Sequence, residues 1–176
     1  MRYQKRVRGR YANGIRRLNK VVYIAPAIVG DWVGFDLMMP NNVLFDWIER
    51  LSTKFINSGW NFAIRSHPSS RSSYPLSLTD RRAIRFVDRC SFKEVLEQNT
   101  NALFICDFPG SSAFGEVLQS NSRVLFIDFG FHGDTYTDIE TRFLNCIRVK
   151  GYFSECGRAI VDDWSRIDVY EDLEDF

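Results

Sequence analysis

The stretch Ala102 to Gly130, ALFICDFPGSSAFGEVLQSNSRVLFIDFG, constrains this chain more than any other. Ala102 to Cys106 is an apolar run without helical period, which fits a strand buried on both faces. Asp107-Phe108-Pro109-Gly110 ends it, because proline and glycine break a ladder and force a turn. Ser111 or Ser112 then offers an N-cap, and Glu116 stands where a capping-box partner of Ser112 or Ala113 would be sought. Phe114, Val117 and Leu118 have the i, i+3, i+4 spacing of a helix with one apolar face. Arg123 to Phe129 is a second apolar strand. So short a strand–helix–strand unit calls for a parallel pair joined by a right-handed crossover.

The rest of the chain repeats this alternation. Lys20 to Pro26 reads as the first buried strand, and the loop from Ala27 to Pro40 that follows contains Asp31 and Asp36. Asn41 or Asn42 is placed to cap a helix running to about Asn57. Its apolar stripe is Val43, Leu44, Trp47, Ile48, Leu51, Phe55 and Ile56, and Ser58-Gly59 closes it. Trp60 to Arg65 is the second strand, Ser69 to Leu78 a polar loop, and Ala83 to Val87 the third strand. Ser91 caps a helix from Phe92 to Gln98. After Gly130 come a loop to Thr137, a helix from Asp138 to Leu144, and short edge strands at Cys146–Val149 and Arg158–Val161. The pattern predicts the α/β class: a Rossmann-like three-layer sandwich on a mainly parallel sheet. A chain of 176 residues has length for one domain. It divides into a basic arm or linker at 1–19, a Rossmann-like domain at 20–162 and an acidic tail at 163–176.

Charge excludes some partners. The net charge is +1, so no global field points to DNA. The cations are nonetheless concentrated in the arm, where Arg2, Lys5, Arg6, Arg8, Arg10, Arg16, Arg17 and Lys20 stand with no acid among them. Such an arm reads as a tail for nucleic acid or an anionic membrane surface, or as a connecting segment ordered only against something else; the second reading is preferred. No apolar run is long enough to span a membrane, and the N-terminus has no signal-peptide core. Cys90, Cys106, Cys146 and Cys156 lack C-x-x-C spacing, so reduced thiols in a cytoplasmic protein are expected, with no metal site. Other chemistries lack their motifs. Gly110-Ser111-Ser112-Ala113-Phe114 misses the second glycine of a nucleophile elbow, and Ala25 to Gly30 holds no dinucleotide-binding glycine pattern.

Three segments follow predicted parallel strands and so meet at the carboxyl edge, where open α/β sheets bind ligands. They are the loop after the first strand, Ser66-His67-Pro68 after the second, and Gly110-Ser111-Ser112 after the fourth. A helix start with two serines offers free N–H groups, hydroxyls and a positive dipole end to an anion such as phosphate; the same serines can simply cap the helix. His67, held by Pro68, can donate an N–H, or be an ordinary loop histidine. Arg65 and Arg71 flank it with charge. Glu116 either accepts from a ribose hydroxyl or is a capping or surface carboxylate.

These elements resemble the donor-binding half of GT-B transferases. The carrying features are a strand ending in Arg65-Ser66-His67-Pro68, a strand ending in Asp107-Phe108-Pro109-Gly110-Ser111-Ser112, a helix bearing Glu116, and an apolar strand after it. The nearest likeness is to bacterial surface-polysaccharide transferases: the Kdo and sialic acid transferases that use CMP-sugars, and the CDP-glycerol glycerophosphotransferases. The resemblance spans roughly Val21 to Phe129. It implies that Arg65, His67, Pro68, Arg71, Gly110, Ser111, Ser112 and Glu116 bind a cytidine-activated sugar, with the nucleotide-sugar as substrate and no separate cofactor. GT-B enzymes set a second domain across the cleft, and this chain has room for one. The resemblance therefore implies an N-terminal acceptor domain or partner subunit, a basic arm that is the interdomain linker, and an acidic tail that crosses back. No general base is assigned. The alternative expectation is a non-catalytic module that binds a nucleotide or a protein through the same edge. The expected location is the cytoplasm, in solution or peripherally on a membrane.

Overall fold

The computed structural model describes residues 19–28, 39–70, 73–79, 82–131 and 133–165. Eight strands are described: β1 (Lys20–Ile24), β2 (Asn61–Arg65), β3 (Ile84–Phe86), β4 (Leu103–Cys106), β5 (Arg123–Asp128), β6 (Cys146–Lys150), β7 (Tyr152–Phe153) and β8 (Ala159–Ile160). The helices are α1 (Asn41–Asn57), α2 (Leu76–Thr79), α3 (Phe92–Gln98), α4 (Ser112–Gln119) and α5 (Ile139–Arg142), with a 3-10 turn at Gly133–Tyr136. Six strands form one sheet in the order β3-β2-β1-β4-β5-β6, every neighbouring pair parallel. This is the doubly wound α/β arrangement, its order reversing between β1 and β4.

Period-two alternation divides the core into two layers. Val21, Tyr23, Phe62, Ile64, Leu103, Ile105, Leu125, Ile127, Ile147 and Val149 pack on one face. Val22, Ile24, Ala63, Phe104, Cys106, Val124, Phe126 and Cys146 pack on the other. α1 covers the first face through Leu44, Trp47, Ile48, Leu51 and Phe55, joined by Leu78 of α2. Val95 of α3, Phe114, Val117 and Leu118 of α4 and Ile139 of α5 cover the second. Each large apolar side chain so buried contributes about 1.5–3 kcal/mol. β3 ends the sheet on one side and carries the exposed Arg85, a charge of the kind that discourages pairing with a further strand.

Several local expectations are corrected. α1 begins at Asn41 itself behind Pro40, with no side-chain cap, so neither Asn41 nor Asn42 is the N-cap. Ser111 caps α4, which leaves Glu116 two positions beyond the third helical residue; no capping box forms there. The box occurs at α3, where Ser91 Oγ accepts from Glu94 N–H and Glu94 accepts in return from Ser91 N–H at 2.6 Å. Residues 158–161 do not edge the sheet. β8 pairs antiparallel with β7 in a separate ribbon, and Ala159 and Val161 are buried against the α1 face. The polar loop at 69–78 contains α2, and the helix at 138–144 shortens to α5 after a 3-10 turn. Within the stretch assigned to an acidic tail, Trp164 stacks on Trp47 with ring centroids 6.3 Å apart. The arm through residue 18 and the tail from residue 166 lie outside the described residues.

Gly151 lets the chain leave β6 beneath an aromatic cluster. A Cβ there would clash with the Phe129 ring, which is itself held by Trp47 and Phe153. Gly151→Ala is expected to lower stability by about 1–3 kcal/mol through overpacking. Urea denaturation should show the loss, and Phe129→Leu in the same chain should recover part of it.

Candidate functional site

Register aligns the strand ends. Ile24 lies level with Arg65 on one side and Cys106 on the other, and Cys106 lies level with Phe126. β2 and β4 flank β1, so their ends stand about 10 Å apart. The segments carrying His67-Pro68 and Gly110-Ser111-Ser112 therefore leave the same carboxyl edge, on either side of β1. Ala25 N–H donates to Arg65 carbonyl at 3.0 Å, and Ile28 N–H to Ser70 Oγ at 3.0 Å, which fastens the start of the first loop to the second.

His67 opens a tight turn. Its carbonyl accepts from Ser70 N–H, and its Nδ1 accepts from Ser69 N–H at 3.1 Å. With Nδ1 engaged as acceptor, the neutral ring carries its proton on Nε2, which is left as the donor. Pro68 is exposed beside it. Arg65 is committed elsewhere. Its side chain is only 11% exposed, Nη1 donates to Val87 carbonyl at 3.0 Å, and it stands 3.8 Å from Asp88 Oδ1. Asp88 also accepts from the backbone N–H and hydroxyl of Ser66. Arg65 and Asp88 thus stitch the end of β2 to the end of β3. Arg71 lies outside the described residues, as do Asp31 and Asp36.

The turn after β4 is held from below. Pro109 carbonyl accepts from Tyr136 Oη at 3.5 Å, and the Tyr136 ring packs on Phe114 and Phe126. Phe108 lies over Gly110, where a Cβ would come within 3.0 Å of its ring. Ser111 Oγ accepts from Phe114 N–H at 3.2 Å, so its oxygen caps the helix while its O–H can still donate outward. Ser112 opens α4 and is exposed. The N–H groups of Ser112 and Ala113 have no partner within a helix that starts here. Glu116 is exposed one turn further on. The arrangement presents backbone donors, hydroxyls, an imidazole N–H and a helix dipole at one edge, a donor set suited to an anion.

The side chain that the motifs did not single out is Asp107. It continues the inward phase of Leu103 and Ile105 and is 3% exposed. Its Oδ2 accepts from Tyr23 Oη at 2.6 Å and from Trp47 Nε1 at 2.9 Å, while Oδ1 is buried without a partner. Burial lifts this carboxyl from an ordinary 3.8 up to about 6, against the opposing effect of the Tyr23 and Trp47 hydrogen bonds. Burial, and then the charge of Asp107, push the Tyr23 phenol up. The available signal was the position itself: a carboxylate one step past an apolar strand, in phase with its inward residues. Among the described residues no cluster of three or more His, Cys, Asp or Glu could hold a metal, and no helix is long and apolar enough to cross a membrane. The four cysteines are unpaired, with Cys106 and Cys146 buried, Cys90 half-buried and Cys156 exposed.

No protein-family model matches the chain, and no curated protein or solved structure matches it.

A carboxyl whose folded-state pKa lies above its unfolded value favours the fold while neutral. Its contribution is whole below about pH 4 and is lost as pH rises through 6. Urea unfolding across pH 4 to 8 should show a decline of at most about 3 kcal/mol from this group, and Asp107→Asn should flatten the profile. A profile of equal slope in both proteins would place the ionisation elsewhere.

Proposed function

We propose that this chain is the donor-binding half of a GT-B-type glycosyltransferase and binds a cytidine-activated sugar at the carboxyl edge of its sheet. The single observation that supports the reading most is the alignment of the β2 and β4 ends about β1, with His67 after one and the Ser111-capped start of α4 after the other. Phosphate would take the N–H groups of Ser112 and Ala113 and the hydroxyls of Ser111 and Ser112. His67 Nε2–H would donate from the neighbouring turn, with Pro68 fixing the backbone beside it. Gly110, which makes room for the Phe108 ring, would shape the turn, and Glu116 would accept from the ribose. Arg71 remains in the proposal on sequence alone, and Arg65, committed to β3, would act by shaping the turn that carries His67.

The chain alone would bind and not transfer. One half of a cleft supplies neither an acceptor site nor exclusion of water from the donor. The nucleotide-sugar is then the substrate, the missing half is an acceptor domain or partner subunit, and the work is done in the cytoplasm or at a membrane surface in polysaccharide synthesis.

Calorimetric titration with CMP, CDP and UDP tests this. Binding of cytidine nucleotides is expected, weakened roughly ten- to a hundredfold in His67→Ala, since a charge-assisted bond to phosphate is worth about 1.5–3 kcal/mol. Ser112→Ala should weaken it less, because the backbone donors persist. Equal binding by wild type and His67→Ala would remove His67 from the site. Sugar transfer by the chain alone would refute the half-enzyme architecture, and absence of binding by every nucleotide would favour a protein-binding module.

A further inference from the structure

Asp107 stands at the base of the turn that presents Ser111 and Ser112, four residues and at most about 14 Å of chain away. It has two unequal oxygens. Oδ2 holds Tyr23 of β1 and Trp47 of α1, and Oδ1 holds nothing. The groups around it cannot neutralise its charge. From β1 it meets the Tyr23 phenol, while the Cys106 thiol on the opposite face of the sheet and the half-buried Tyr74 before α2 feel its charge. From α1 it meets the indole N–H of Trp47; of that helix's cations, Arg50 lies over the Trp47 ring at 5.6 Å and pairs with Asp46, and Lys54 lies over the Trp164 ring at 5.0 Å. Among the described residues no cationic side chain pairs with Asp107. An anion arriving at the turn would therefore meet a second negative charge in a medium that screens poorly.

We propose that Asp107 makes filling of this edge a proton-linked event. A phosphoryl group that settles on the Ser111–Ser112 turn drives the buried carboxyl to its neutral form, and the proton comes from solvent. The inference rests on the reading that this turn takes phosphate. The carboxyl, tuned by burial to titrate near 6, is ionised in part at neutral pH and can respond. A unit charge at about 12 Å, at an effective dielectric constant near 20, alters an equilibrium roughly tenfold, and a greater distance or solvent screening lowers this to about threefold. The site should then bind about three- to tenfold more tightly at pH 5.5 than at pH 8. His67 lies at the same edge, so the part played by Asp107 must be tested separately.

The probe is the methyl phosphodiester of CMP, whose single phosphate charge does not change between pH 5 and 8. It is titrated calorimetrically into the wild-type chain at pH 5.5, 6.5 and 8, in buffers of differing ionisation enthalpy. Expected is fractional proton uptake at pH 6.5 by wild type and none by Asp107→Asn. The carbon-13 resonance of the Asp107 carboxyl in the wild-type chain, which requires no variant to fold, should titrate about half to one pH unit higher when the probe is bound. Binding with buffer-independent heat and an unmoved Asp107 resonance would overturn the inference and leave the phosphate site standing. Proton uptake that persists in Asp107→Asn would also overturn it, by assigning the proton to a group other than Asp107. Failure of the wild-type chain to bind the probe at any pH would overturn both the site and the inference.

Discussion

The hydrogen bonds that Tyr23 and Trp47 give to Asp107 tie together the parts on which the fold depends. Tyr23 belongs to β1, Trp47 to the middle of α1, and Asp107 to the end of β4. The strand order reverses between β1 and β4, and α1 is the first helix laid over them. A buried carboxylate is costly unless hydrogen-bonded, and here two donors from separate elements converge on a single oxygen. The Trp47 ring extends the connection, edge-on to Phe129 at 5.4 Å and stacked on Trp164. One polar contact thus sets the position of α1 against the sheet, the end of β5 and the segment after β8. Loss of the Trp47 indole would remove a hydrogen bond and the packing partner of three elements together.

Division of the core into two faces explains why the candidate site belongs to the loops and not to the layers. Each strand of the central four spends both faces on apolar packing, so no sheet side chain is free to meet a ligand until its strand ends. At those ends the polar residues divide into two kinds. Some close the structure on itself: Arg65 and Ser66 on the β3 side, and Asp128 with Arg148 at the β5–β6 end, where Asp128 also receives Gly130 N–H. Others keep a donor facing outward, namely His67 through Nε2 and the start of α4 through its backbone. The first kind holds the second in place. Tyr136 beneath Pro109 and Ser70 on Ile28 do the same for the two turns.

The strands were legible because a doubly covered parallel sheet requires apolar runs, and Val21–Ile24, Phe62–Ile64, Leu103–Cys106 and Val124–Ile127 are such runs. α1 was legible from its stripe, since Leu44, Trp47, Ile48, Leu51 and Phe55 are the residues it buries. The helix starts were less so. Serine, asparagine and proline all favour a first turn, and backbone geometry chose Ser111 and Pro40 over equally suitable neighbours. The ribbon of β7 and β8 was misplaced because two-residue strands carry no period, and Val161 looks the same whether it edges a sheet or covers a helix. Of the site, the motif residues could be named and their common edge inferred. Asp107 could be seen but not valued, because its partners Tyr23 and Trp47 lie 84 and 60 positions away in sequence.

Among the described residues the candidate edge carries little fixed positive charge, and that has consequences for how it would hold an anion. Arg65 is engaged by Val87 and Asp88, and among the described residues the donors left at the edge are peptide N–H groups, hydroxyls and an imidazole N–H. Neutral donors cost less to desolvate than an ammonium or guanidinium, but they hold an anion less strongly, so their strength lies in being fixed beforehand. The contacts under the turns supply that fixity. In the proposed reading the ionised Asp107 would oppose the anion, and a proton on its carboxyl would remove that opposition. A guanidinium at the same place would compensate the anion at every pH; under the proposal a carboxyl buried behind Tyr23 and Trp47 would only cease to repel it, once solvent supplies the proton. Fold and ligand would then favour the same charge state of one residue, since the neutral form that favours the fold is also the form that would favour the anion.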